Sequence, residues 1–433
     1  MGIGTATSIT RSKTLTAGRD TINFDTSLGP ITDTFVAING ALGTGDYLNG
    51  GSGWDTLKWS ITGKYSAQPT LVTIKPTLVS IETLELSIGD MSAATTLDMA
   101  ASASCGLKHL KLVGGPEHSF AADFTLRNLN SKLDTIATDN FDGRLSIESG
   151  ATAVAGNADR VTINSSHTVN VALPGYEIVD LVTGVADVVL VHRLHLTESR
   201  NPETLNIRGS ASEVRIGSPH GVDVIDASTF GGKLRVLNDS WYESGATSLT
   251  IRGGFGSDSI RGTSLDDIIQ AAPKDATSQT DRMWGGAGRD VFRFEGSTLE
   301  RMLDVSRIDA GAKPDYGGSA VRAGMARIED FQCGIDRIAL AWGGAGKHSI
   351  NVTKEEWIAT ASSFDQIALR LGDMAASTPT EVKATVVTVA GGTLAGTYLV
   401  VNDTNSGFKQ GDDMVIDLTG MTGTLRSTDF IFT

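Results

Sequence analysis

Three stretches of the chain carry an aspartate at the sixth position of a glycine-rich turn. They are Gly50-Gly51-Ser52-Gly53-Trp54-Asp55, Gly253-Gly254-Phe255-Gly256-Ser257-Asp258 and Gly285-Gly286-Ala287-Gly288-Arg289-Asp290. Two residues after each aspartate stands a large apolar residue: Leu57, Ile260 or Phe292. The chemistry open to such a turn is cation binding. Glycine reaches positive φ at no steric cost, so the turn can point its carbonyls at one spot. The aspartate adds a carboxylate, and an all-oxygen donor set suits Ca²⁺. The candidate ligating residues are Gly50, Ser52, Asp55, Gly253, Phe255, Asp258, Gly285, Ala287 and Asp290. A single Gly-Asp turn is also a common surface hairpin. The recurrence of the apolar residue at one offset favours the metal.

Flanking sequence adds weaker copies. Asp46 stands nine residues before Asp55. Gly262-Thr263-Ser264-Leu265-Asp266-Asp267-Ile268-Ile269-Gln270 is a degraded copy, and Asp281-Arg282-Met283-Trp284 is the tail of another. Where each nonapeptide makes half a coil of parallel β-structure, turns n and n+2 stack on one edge. This stacking pairs Asp258 with Asp281 and Asp267 with Asp290, each pair holding an ion.

To present turns in stacked register, the chain must wind as β-rungs, and its composition agrees. There are 50 glycines, 10 prolines and 6% aromatic residues among 433, a turn-rich, β-rich usage. Alternating strands such as Ile81–Leu86, Leu107–Leu112, Thr204–Gly209 and Ser248–Gly253 recur through the middle, with few hairpin dipeptides between them. Stacked rungs explain this better than a meander; a β-sandwich with long connections is the rival. Ser362–Gly372 reads as one helix with a serine cap and a glycine stop. Its Phe364, Ile367, Ala368 and Leu371 form the apolar face.

The net charge of −14 argues against non-specific nucleic-acid binding and suits a protein that meets divalent cations. Cys105 and Cys333 fit neither a zinc motif nor a disulfide framework and are expected to be buried thiols. No apolar run approaches the ~20 residues of a membrane span. The first thirty residues lack the apolar core of a secretory signal. None of the seven histidines lies in a zinc-protease helix, and His192 and His195 read as strand residues.

These repeats resemble the repeats-in-toxin (RTX) family of calcium-binding proteins exported by type I secretion. Asp290-Val291-Phe292-Arg293-Phe294 and Ile328–Leu340 resemble the strand and closing cap of the serralysin β-roll, without its protease. Leu15–Asp20, Asp33-Thr34-Phe35, Leu42–Gly50 and Asp55-Thr56-Leu57 follow the order seen in bacterial surface-layer (S-layer) proteins and secreted RTX adhesins. The likeness implies an N-terminal calcium module in which Asp46 and Asp55, with Asp20, Asp25 and Asp33, supply carboxylates. It also implies a C-terminal export signal ending in residues such as Phe430-Ile431-Phe432.

The expected fold is all-β: a right-handed parallel β-solenoid continuing into an RTX calcium β-roll, with a small β-rich C-terminal cap and one short helix. The expected boundaries are a calcium module at 1–60, an irregular solenoid at 61–250, a β-roll and cap at 251–345 and a β-rich region with the export signal at 346–433. The expected role is a secreted, calcium-dependent structural protein of a bacterial surface or matrix, not an enzyme. Expected partners are further copies of itself in a lattice or filament, the export machinery, and lipopolysaccharide or exopolysaccharide. The alternatives are an adhesin or carbohydrate-binding protein and a polysaccharide lyase or epimerase. Asn238–Glu243 is the cluster that would contact a sugar.

Overall fold

The computed structural model describes residues 10–24, 31–61, 72–88, 94–102, 105–114, 123–141, 143–150, 153–156, 158–186, 188–196, 203–217, 219–237, 248–270, 281–295, 326–341, 349–361, 364–372, 374–378, 381–402, 406–407 and 414–432. Asp25, Asn238–Glu243 and the serine cap at Ser362 lie outside them. The protein is almost entirely β-structure laid in parallel sheets, a β-solenoid. It divides into two compact units, Met1–Ala211 with Ser218–Val222, and Ser212–Gly217 with Asp223–Thr433.

In the first unit successive strands drop alternately into different sheets, which is what coiling requires. One sheet runs in the order Thr10–Thr14, Thr32–Ile38, Thr56–Ile61, Thr83–Ile88, His109–Gly114, Thr135–Asp139, Arg160–Ser165, Ile178–Thr183 and Thr204–Gly209. A second runs Val72–Ile74, Thr95–Asp98, Phe124–Leu129, Leu145–Ser149, Thr168–Ala172 and Val188–His195. Thr21–Asn23, Tyr47–Asn49 and Thr77–Val79 form a third. Period-two alternation turns one side chain in two inward, and registered stacking lines these up. Phe35, Leu57, Leu84, Leu110, Ile136, Ile163, Leu181 and Ile207 form one such column. All are essentially inaccessible to water.

The second unit follows the same plan with shorter rungs. Val224–Asp226, Thr250–Arg252, Ile268–Gln270, Val291–Glu295, Arg337–Ala341 and Phe430–Phe432 make one sheet. Glu213–Ile216, Lys233–Val236, Ser259–Arg261, Arg282–Trp284, Arg327–Ile328 and Met414–Asp417 belong to the other. That sheet ends in Gly396–Asn402, Glu381–Val389 and Ser349–Ile358, where antiparallel pairing appears on both sides of Gly396–Asn402. The expected helix is Phe364–Arg370. Ile367 and Leu371 are buried as the apolar face requires, while Leu369 is exposed. Both cysteines are free thiols; Cys105 is buried and Cys333 half-buried.

Candidate metal centre

The apolar residue that follows each turn aspartate points into the core. Leu57, Ile260, Ile269, Met283 and Phe292 are all fully buried. Each therefore pins its aspartate at the corner where the chain enters a strand. The aspartates are buried too: Asp46, Asp55, Asp258, Asp267, Asp281 and Asp290 are each 2% exposed or less.

The corners stack in the expected pairs. Ser259–Arg261 lies on Arg282–Trp284, so the Asp258 and Asp281 turns are neighbours. Ile268–Gln270 lies on Val291–Glu295, which brings the Asp267 turn to the Asp290 turn. Each upper carboxylate accepts the lower aspartate's own N–H: Asp258 donates to Asp281 at 2.8 Å and Asp267 to Asp290 at 2.9 Å. In the N-terminal part Asp46 and Asp55 do not pair with each other. Asp20 donates its N–H to Asp46 at 2.9 Å, and Asp33 donates to Asp55 at 2.8 Å.

This carboxylate-to-amide contact extends beyond the glycine turns. Glu82 accepts the N–H of Asp55, Glu177 that of Asp159, and Asp336 that of Asp290. Acid-x-apolar is thus a corner signature of the whole coil, from Glu82-Thr83-Leu84 to Asp336-Arg337-Ile338. The glycine turns are one version of it. Reading for glycines alone misses Glu82, Glu177, Asp330 and Asp336. Asp330 accepts the N–H groups of Gly285 and Gly286 at 2.9 and 3.0 Å.

Among the described residues no lysine or arginine pairs with Asp258, Asp267, Asp281 or Asp290. Burial pushes the Asp281 carboxyl up to about 7. Burial also raises Asp258, reinforced by Asp281, and raises Asp267. Asp290 rises to about 7 through burial, with Asp267, Asp336 and Asp330 adding repulsion. Asp55 is raised to about 6, again chiefly by burial. Asp33 differs: Arg11 grips it with two hydrogen bonds of 2.7 and 2.6 Å. Asp20 binds its own Thr16 N–H at 2.8 Å in a local turn.

The residues present can be tested against a calcium ion. Among the described residues no three His, Cys, Asp or Glu side chains gather as a metal cage. A site here must rest on carbonyls plus one carboxylate per turn, and such oxygens do converge. A Cβ added at Gly50 would lie 2.3 Å from both Asp55 Oδ2 and the Ser80 carbonyl. One added at Gly262 would lie 2.5 Å from Asp267 Oδ2 and 2.4 Å from the Gly285 carbonyl. Asp55 Oδ2 is buried and accepts no hydrogen bond. An oxygen left in this way fits a hard cation. The Ser52 carbonyl already accepts the Ile31 N–H at 2.9 Å. Gly286 and Gly288 take φ of +98° and +125°. Gly254 and Gly256 instead need to be glycine because the carbonyls of Phe230 and Gly232 press on them at 2.4 and 2.2 Å of a would-be Cβ.

These features are those of a parallel β-solenoid with acidic corners, compatible with a β-roll repeat protein. No protein-family model and no curated protein matches the chain. Among the described residues no helix is long and apolar enough to cross a membrane.

Proposed function

We propose that this protein is a secreted structural β-solenoid of a bacterial cell surface or extracellular matrix, which orders its glycine-turn rungs on binding Ca²⁺ and then assembles with further copies. One observation carries the reading: the stacked turns bury Asp258 against Asp281 and Asp267 against Asp290, with no lysine or arginine paired to them among the described residues. Burying a carboxylate without a countercharge is costly. Calcium would supply that charge. Asp258, Asp267, Asp281 and Asp290 would hold it together with turn carbonyls, and Asp46 and Asp55 would do so in the N-terminal part.

Metal binding of this kind is coupled to folding. It explains a protein that stays pliant at low calcium and sets outside the cell, in keeping with export by the type I route. Electron microscopy of the purified chain, with and without millimolar Ca²⁺, tests the reading. Ordered lattices or filaments that appear only with calcium are the expected result. A monodisperse protein whose circular dichroism is the same in both conditions overturns it.

A further inference from the structure

A column of arginines runs along the outside of the second unit. Arg215, Arg235, Ser259, Arg282 and Arg327 occupy one register position on successive rungs. Neighbouring rungs are about 4.8 Å apart, so the guanidinium groups would repel unless an anion lies between them. Inside the column that anion is a glutamate. Glu213 bridges Arg215 and Arg235, the latter at 3.0 Å. Glu329 bridges Arg282 at 2.6 Å and Arg327 at 2.9 Å.

The Ser259 rung breaks the alternation. Serine is too short to fill the space between Arg235 and Arg282, and it carries no charge. On the same strand and face stands Arg261, which is exposed. Among the described residues no carboxylate pairs with Arg261. Its guanidinium lies 4.8 Å from the centre of the Trp284 ring, and that of Arg282 lies 5.0 Å from it. Cation–π contact of this kind sets the planes of both groups. Among the described residues the Ser259 position is therefore a notch in the column, flanked by Arg235 and Arg282 on neighbouring rungs and by Arg261 on its own strand, with the Trp284 ring beside it.

We infer that this notch binds the carboxylate of an acidic polysaccharide. A carboxylate is the group each neighbouring arginine pair already holds, and planar guanidinium groups match it in two-point geometry. A sugar ring attached to it would lie against the Trp284 edge. The notch lies on the Ser259–Arg261 and Arg282–Trp284 rungs, so the inference rests on the calcium reading to the extent that calcium orders those rungs, and binding is expected in calcium.

The test uses the full chain, in calcium and in chelator, with hyaluronan as a soluble glucuronate polymer. Neutral dextran, dextran sulfate and single-stranded DNA serve as comparison ligands. Hyaluronan should bind and neutral dextran should not. Arg261→Ala should weaken hyaluronan binding about tenfold, as loss of one charge-assisted contact does, while Lys58→Ala leaves it unchanged. Ser259→Glu supplies the missing carboxylate from within, so it should abolish binding without lowering the melting temperature. Retained binding in Arg261→Ala or Ser259→Glu overturns the inference, as does a preference for DNA or dextran sulfate over hyaluronan. Calcium affinity measured on the same samples separates failure of this site from failure of the calcium reading.

Discussion

The rungs of the first unit and the glycine-turn rungs of the second solve one problem in two ways. Thr83–Ile88 buries three side chains and Arg160–Ser165 also buries three. Thr250–Arg252 and Ser259–Arg261 bury one each. A fully buried aliphatic side chain stabilises by about 1.5–3 kcal/mol, against a backbone ordering cost of about 1–2 kcal/mol per residue. The long rungs recover a larger share of that cost from their own apolar contacts than the short rungs do, so the short rungs lean more on another source of stability.

Charge shows the same division. Along the first unit several buried acids have lysine or arginine beside them, Lys75 on Asp98, Lys132 on Asp159 and Arg160 on Asp180, whereas its glycine-turn acids Asp46 and Asp55 have no ion pair among the described residues. Among the described residues the corner acids of the second unit's glycine turns have none either. The lesson is that a coil can change its stabilising chemistry from rung to rung while keeping one register.

The largest expected effect breaks the comparison outright if it fails. Chelation should speed hydrogen exchange of amides in 250–261, 267–270 and 281–295 while leaving the strands from Thr83–Ile88 to Thr204–Gly209 protected. Uniform exchange in both regions would show that the two kinds of rung do not differ. Next in size, Leu110→Ala should cost about 2–5 kcal/mol in denaturant titrations, with the same loss in calcium and in chelator.

Asp258→Asn should change sign with conditions, by about 1–3 kcal/mol either way. In chelator it removes a carboxylate that burial opposes and should raise the melting temperature. In calcium it removes a ligand and should lower it. Loss of calcium affinity should also be larger for Asp258→Ala than for Ser257→Ala, since Ser257 sits outside the oxygen set.

The smallest effect concerns Asp98. Hydrogen bonds from Asn128 and the Ala100 N–H, with the Lys75 ammonium beside them, hold its carboxyl below the usual range. A group depressed on folding stabilises above its unfolded value of about 3.9 and loses that contribution as pH falls through its folded value. Asp98→Asn should therefore destabilise modestly at neutral pH, and the difference from the parent should vanish in strong acid. A constant difference across the acid limb would remove Asp98 from the paired class.

Much of this architecture is legible locally. The period-two strands and the apolar residue two places after each acid put Leu57, Ile260 and Phe292 in the core from spacing alone. Counting half-coils rather than residues also places Asp258 against Asp281, 23 residues on. What spacing cannot show is contact between rungs. Arg11 is separated from Asp33 by 22 residues, and nothing near either marks the pair. Glu82 and Asp336 do the corner work of an aspartate without its glycines, so a search for glycine turns passes over them. The arginine column likewise exists only once five distant strands lie in register.

The corner contact bears on how such a coil can change over evolutionary time. The acid and the amide it secures are 18 residues apart at Asp267 and Leu249, 23 at Asp290 and Asp267, and 46 at Asp336 and Asp290. The coil counts corners, not residues. A segment spliced in between two corners leaves both anchor points intact, because each rung finds its place by its own acid and not by the length of chain that precedes it. The solenoid is in that sense an indexed rack, and the gaps between its acids are where new sequence, natural or engineered, can be loaded without shifting any rung.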